Sequence, residues 1–279
     1  MFTNLTDSAK AFLFFALALA LTITVSLLYP ILGGITPMIH MYTPTLAVLI
    51  MMLVVTRDGY SKAGWATLGL HRLGLRWWLL ALFGPLGLMS AVYGLVWSTD
   101  VADLLVPGDF AWPLLAFNVA TGIGVSSALA LGEELGFRAY LLPRLAQLGT
   151  TRALLLSGLM HGLWHFPLMW LTPIYPIVGS WLIVGPIVLL TITSAGVFYG
   201  YLQLNSKSVW PATLAHGAVN TAFDFFRFFT ITATPLALEY LAGETGVITL
   251  VATGLAAGVI VYRMRQRRGA QAVRLPSGV

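Results

Sequence analysis

The chain has 279 residues, of which 58% are hydrophobic and 9% charged, against about 25% charged in an ordinary soluble domain. Its 15 Lys and Arg and 10 Asp and Glu are too few to cover the surface of a water-soluble globule, so most of that surface must face lipid. The absence of cysteine excludes disulfides, a thiolate nucleophile and a Cys-ligated zinc. The net charge of +5 comes from basic residues in short connections between apolar runs, which reads as membrane orientation rather than a nucleic-acid surface.

A lipid-exposed helix needs about 20 largely apolar residues, because it must satisfy its own backbone polar groups. Along the chain such stretches run 11–32, 38–55, 77–97, 112–142, 153–170, 177–202, 209–229 and 246–262. The first is too long an apolar run for a cleaved signal peptide and is read as a span. The expectation is an all-α, polytopic membrane helix bundle of about eight transmembrane helices. It forms a single membrane domain over 1–262, followed by a basic, disordered cytoplasmic tail at 263–279. The fourth stretch exceeds one crossing and is expected to tilt or break near Gly122, Gly124 or Gly132.

Orientation follows from the basic residues. With the N-terminus in the cytoplasm, 13 of the 15 Lys and Arg fall on the cytoplasmic side, from Lys10 through Arg57, Arg72, Arg144 and Lys207 to the cluster at 263–274. Both termini are then inside. The outer loops hold Asp100, Asp103, Asp109, Glu239 and Glu244. Arg138 and Arg227 lie within spans. The connection 57–76 carries Trp65, Leu68, Leu70, Leu73 and Leu75, which suit the headgroup boundary. The expected location is a plasma (inner) membrane.

Ionisable residues inside a span are costly and mark function by default. Three spans carry them, at roughly 10–18 Å below the cytoplasmic end by helical rise. The fourth has Glu133, Glu134 and Arg138. Neighbouring positions differ by about 100°, so the two carboxylates point apart, and Glu134 is the i, i+4 partner of Arg138. Glu133 is then free to act as a general base. The fifth span has His161 and His165 on one face at i and i+4, which is metal-ligand spacing. The HExxH zincins share it, but their glutamate would fall at Gly162. The seventh has His216 and Asn220 at i and i+4, two donors suited to a developing oxyanion. Asp224 and Arg227 read as an ion pair near the end of that span. The bland alternatives are a structural ion pair, a hydrogen-bonded core histidine and interhelical hydrogen bonds, respectively.

Taken in order, GEELGFRAYLLPRL at 132–145, GLWHFPL at 162–168 and LAHGAVNTAF at 214–223 resemble the three motifs of the CPBP family of intramembrane proteases, which includes the type II CAAX prenyl endopeptidases. WATLGLHR at 65–72 resembles a common opening segment, so the resemblance spans roughly 65–229. One position departs from the pattern: the family often has Phe four residues before the histidine of the second motif, and His161 stands there. The resemblance implies peptide-bond hydrolysis by water that Glu133 activates and His165 helps to hold, with His216 and Asn220 stabilising the oxyanion. Glu134 and Arg138 would position the first motif; His161 is a supporting candidate that either joins the site or fills the space of the aromatic. It implies an active site nearer the cytoplasmic face and a membrane-associated peptide or protein as substrate, prenylated or not. Such a Glu and His pair can work without metal, the reading preferred here, or Glu133, His165 and His216 could hold zinc. The competing readings are a non-catalytic membrane scaffold or bacteriocin-immunity protein, and a proton or metal transporter. The residues leave oligomeric state open.

Overall fold

The computed structural model describes residues 5–108 and 110–274. Asp109 of the outer loop and tail residues 275–279 lie outside the described residues. Eight long helices form one bundle: α1 (Asp7–Leu27), α2 (Tyr29–Val55), α3 (Leu75–Trp97), α4 (Trp112–Leu148), α5 (Thr150–Leu171), α6 (Trp181–Ser206), α7 (Trp210–Phe228) and α8 (Val247–Arg274). Among the described residues, seven of these are long and apolar enough to cross a membrane; α7 is the exception. That helix has 19 residues and carries His216, Asn220, Asp224 and Arg227. It packs against α3, α4 and α6, which buries His216 and turns Asn220 to an internal cavity, so it need not be apolar all round.

Local chemistry sets the boundaries. Thr6 caps α1, its Oγ1 accepting from the Ala9 amide at 3.2 Å, and Asp7 sits in the first turn, where a negative charge suits the helix dipole. Pro30 opens the next helix, so α1 ends at Leu27 and not at the expected 32. The connection expected at 33–37 is instead a tight helical turn, Gly33–Ile35, inside the composite α2. Helix α4 is long, 37 residues, as expected. Its change of winding falls elsewhere, however: Gly122, Gly124 and Gly132 stay in regular helix Leu115–Glu134, and a wider π-helical segment follows at Leu135–Leu141. Helix α8 runs on to Arg274, through the stretch from 263 where a disordered tail was expected.

The main core joins α1, α2, α4 and α5 through Phe14, Met51, Met52, Phe137, Tyr140 and Trp164. A second cluster packs Met89, Val92 and Tyr93 of α3 against Ala222 of α7. Outward, Leu182 is 89% exposed and Phe12, Leu79 and Leu255 are similarly bare, a surface that water would penalise and lipid does not.

At one end of the bundle the connections are tied to each other. Asp103–Leu104 (β1) pairs antiparallel with Thr230–Ile231 (β2), Asp103 opposite Ile231. On the short helix Pro235–Leu241, the Glu239 carboxylate accepts from the amides of Val178 at 2.9 Å and Gly179 at 2.6 Å. At the other end, the 57–76 connection docks on the turn between α6 and α7, while Trp65, Leu73 and Leu75 stay exposed. Leu68 is fully buried, Trp210 Nε1 donates to the Leu70 carbonyl at 3.0 Å, and the Ser208 hydroxyl donates to the Arg72 carbonyl. Gly69 makes this docking feasible: its φ is +71°, and a Cβ there would lie 2.9 Å from the Lys207 carbonyl oxygen.

Candidate active site

Glu133 and Glu134 are the last residues before the π-helical segment of α4. Within that segment the Phe137 carbonyl accepts twice, from the Leu142 amide and from Ser157 Oγ of α5 at 2.8 Å. The Ser157 bond holds α5 against the segment that follows the two carboxylates. Both glutamates and Arg138 are fully buried, so the site depends on how these charges are paired.

Three imidazoles surround Glu133 Oε2. His161 Nε2 is 2.7 Å away, His216 Nε2 3.9 Å and His165 Nε2 4.0 Å. The remaining contacts assign their protons. Arg138 Nη1 lies 2.9 Å from His161 Nδ1, and a guanidinium can only donate, so Nδ1 accepts and the ring proton sits on Nε2. His161 therefore donates to the Glu133 carboxylate. His165 Nδ1 lies 3.0 Å from the His161 carbonyl; it donates there, leaving an Nε2 lone pair turned toward Glu133. The gap between these two acceptors is the size that one water molecule spans when it donates a proton to each.

Glu134 takes the other direction, as the helical spacing requires. Its Oε1 lies 2.9 Å from His216 Nδ1, and its Oε2 lies 3.5 Å from Arg138 Nε. The expected Glu134 and Arg138 pair is thus present, and the same carboxylate also orients His216. Tyr199 of α6 completes this side, stacked on His216 with 5.1 Å between centroids and 5.2 Å from the Arg138 guanidinium carbon.

Of the seven residues singled out in the sequence, contacts join six: Glu133, Glu134, Arg138, His161, His165 and His216. Asn220 makes no hydrogen bond among the described residues. It lines a cavity of about 440 Å³ together with His161, His165 and His216. Asp224 and Arg227 are both exposed and, contrary to expectation, form no ion pair among the described residues, because solvation at the helix end competes with a surface pair. Sequence reasoning passed over His40, the remaining histidine within a span. It is buried, its Nδ1 lies 2.5 Å from Thr22 Oγ1, and it stacks on Trp164 at 3.8 Å beside His165. Its signal was available: an imidazole in an apolar stretch is costly wherever it occurs. Tyr199 carried no such signal, since a tyrosine in a span is ordinary.

A carboxylate with two imidazoles is a donor set that zinc accepts. Glu133, His161 and His165 offer ligand atoms all within 4.8 Å of one another. The expected set had His216 in place of His161. Fit is complete for Glu133 and His165, whose lone pairs face each other. For His161 it requires Nε2 to give up the proton that the Arg138 bond keeps there.

A family model described as type II CAAX prenyl endopeptidase Rce1-like matches residues 109–222. The matched stretch contains all seven of these residues and ends within α7. No curated protein matches the chain.

Proposed function

We propose that this protein is an intramembrane endopeptidase whose nucleophile is a water molecule activated by Glu133. The observation that carries the reading is the meeting of three separate helices on one buried carboxylate, with imidazoles at 2.7, 3.9 and 4.0 Å. A scaffold has no use for these costly buried groups at a common point, and a cavity lined by apolar side chains beside them suits a membrane-borne peptide.

In this mechanism water bridges Glu133 and His165 and attacks the carbonyl carbon of the scissile bond while Glu133 takes its proton. The resulting oxyanion accepts hydrogen bonds from the Asn220 amide and from His216 Nε2–H; Glu134, at Nδ1 of that ring, compensates the positive charge this requires. Collapse of the tetrahedral species breaks the C–N bond, and Glu133 returns the proton to the leaving amine. Arg138 holds His161 in the tautomer that anchors Glu133. Zinc held by Glu133, His165 and a further imidazole would supply Lewis-acid polarisation; the Arg138 bond to His161 favours the route without it. In this reading both termini are cytoplasmic and the site lies nearer that face, which the distribution of basic residues supports.

The test is peptide analysis of membranes from cells carrying the native chain or Glu133→Gln, a change that keeps shape but removes the base. New C-termini should arise with the native chain alone. Equal appearance of those termini with Glu133→Gln would refute the assignment.

A further inference from the structure

The cavity that holds the imidazoles extends between α3, α6, α7 and α8, and its wall includes Glu244, in the turn that precedes α8. Apart from the histidines and Tyr199, Glu244 is the one ionisable acid or base among the lining residues; the remainder are apolar or uncharged, such as Leu88, Phe223, Val259, Thr191 and Thr253. It is half-buried. Among the described residues it makes no hydrogen bond and no ion pair, neither to the first turn of α8 nor to any Lys or Arg. A carboxylate held among apolar side chains without a partner is costly. That burial pushes the Glu244 carboxyl above the usual carboxylate range, with the charge of His216 pulling it part of the way back and Asp224 opposing that pull. An arriving cation removes the penalty, and no cation among the described residues pairs with it.

We propose that Glu244 is a specificity residue that pairs with a basic side chain of the substrate, so that the cavity selects an apolar peptide segment carrying a Lys or Arg over an otherwise identical neutral or acidic one. The local charge balance agrees with this. Glu133 and Glu134 are balanced by Arg138 and the charged His216 within the site, and Glu244 adds to the same cavity a negative group that no further cation of the site offsets. The proposal rests on the reading that a peptide occupies this cavity, and it adds which peptide.

The test uses full-length protein in lipid nanodiscs and a set of Leu/Ala peptides of about 20 residues, long enough to enter a bilayer, in which one Lys, Gln or Glu is moved along the segment. Binding is read by competition against a fluorescent Lys peptide, and cleavage is read separately by mass spectrometry. The native chain should bind the best Lys peptide about tenfold more tightly than its Gln counterpart, the value of one charge-assisted contact. Glu244→Gln, which keeps the size of the side chain, should bring that ratio close to one, and Glu244→Lys should favour the Glu peptide. Equal binding of Lys and Gln peptides by the native chain, or a Lys preference that survives in Glu244→Gln, would overturn the proposal. A Lys preference that depends on Glu244 but comes without cleavage of any peptide supports the subsite and counts against the peptidase reading, so the two fail separately.

Discussion

His161 stands where the resembled motif has phenylalanine, and it makes the closest contact to the proposed base. A residue that merely filled an aromatic's space would be replaceable by Phe. Here the ring conveys a hydrogen bond from Arg138 to Glu133, and an Nε2–H donor 2.7 Å from a buried carboxylate fixes where that carboxylate points. His161→Phe should lower kcat about 10- to 100-fold, the range for losing a hydrogen bond to a charged group, with KM nearly unchanged. His161→Gln, which still carries an N–H donor, should recover part of the loss. Equal kcat for native and Phe variants, per folded molecule, would reduce His161 to a packing residue. Asn220 behaves differently, because its amide has no hydrogen-bond partner in the described chain and faces the cavity. Asn220→Ala should cost little stability but about 100- to 1,000-fold in kcat, as expected for an oxyanion donor. A loss that tracks folded protein alone would assign Asn220 to helix packing.

Between helices, site geometry depends on how closely α4 and α7 approach. Gly217 follows His216 directly, and a Cβ there would lie 2.5 Å from the Ser127 amide nitrogen and 2.7 Å from its Cα. Both obstacles are main chain and cannot rotate away. Gly217→Ala should therefore force the helices apart, costing about 1–3 kcal/mol of stability, and should weaken the 2.9 Å bond between His216 and Glu134. Thermal unfolding in detergent and activity per folded molecule should fall together; a native midpoint would show that the contact yields. The π-helical segment at Leu135–Leu141 serves the same geometry from the other side, since it places Arg138 within reach of both Glu134 and His161.

For the whole molecule the metal question is one of protonation. As long as Arg138 donates to His161, the Nε2 that approaches Glu133 carries a hydrogen and is not a ligand. The purified protein should therefore hold well under one zinc per chain after dialysis, and chelation should leave peptidase activity intact. One zinc per chain, with activity lost on its removal and regained on its return, would show that the ring changes tautomer in favour of metal.

Composition and local pattern already determine that this chain is a multi-helix membrane protein, because backbone groups in lipid leave helices as the solution for long apolar runs. The i, i+4 spacing likewise made the pairing of Glu134 with Arg138 legible, since helical geometry places those side chains together without help from the rest of the fold. Spacing also brought His161 and His165 to one face of α5. Other features were beyond local pattern. That α7 is a bundle-interior helix depends on its neighbours, and so does the placing of Glu244 in the wall of the same cavity as Asn220, since helices from distant parts of the chain complete that wall. The order of the imidazoles around Glu133, with His161 nearest, depends on Arg138 reaching across to α5. Sequence periodicity describes one helix at a time, whereas these distances arise from how helices cross. Only tertiary packing decides which buried charges face each other, and with them the chemistry of the site.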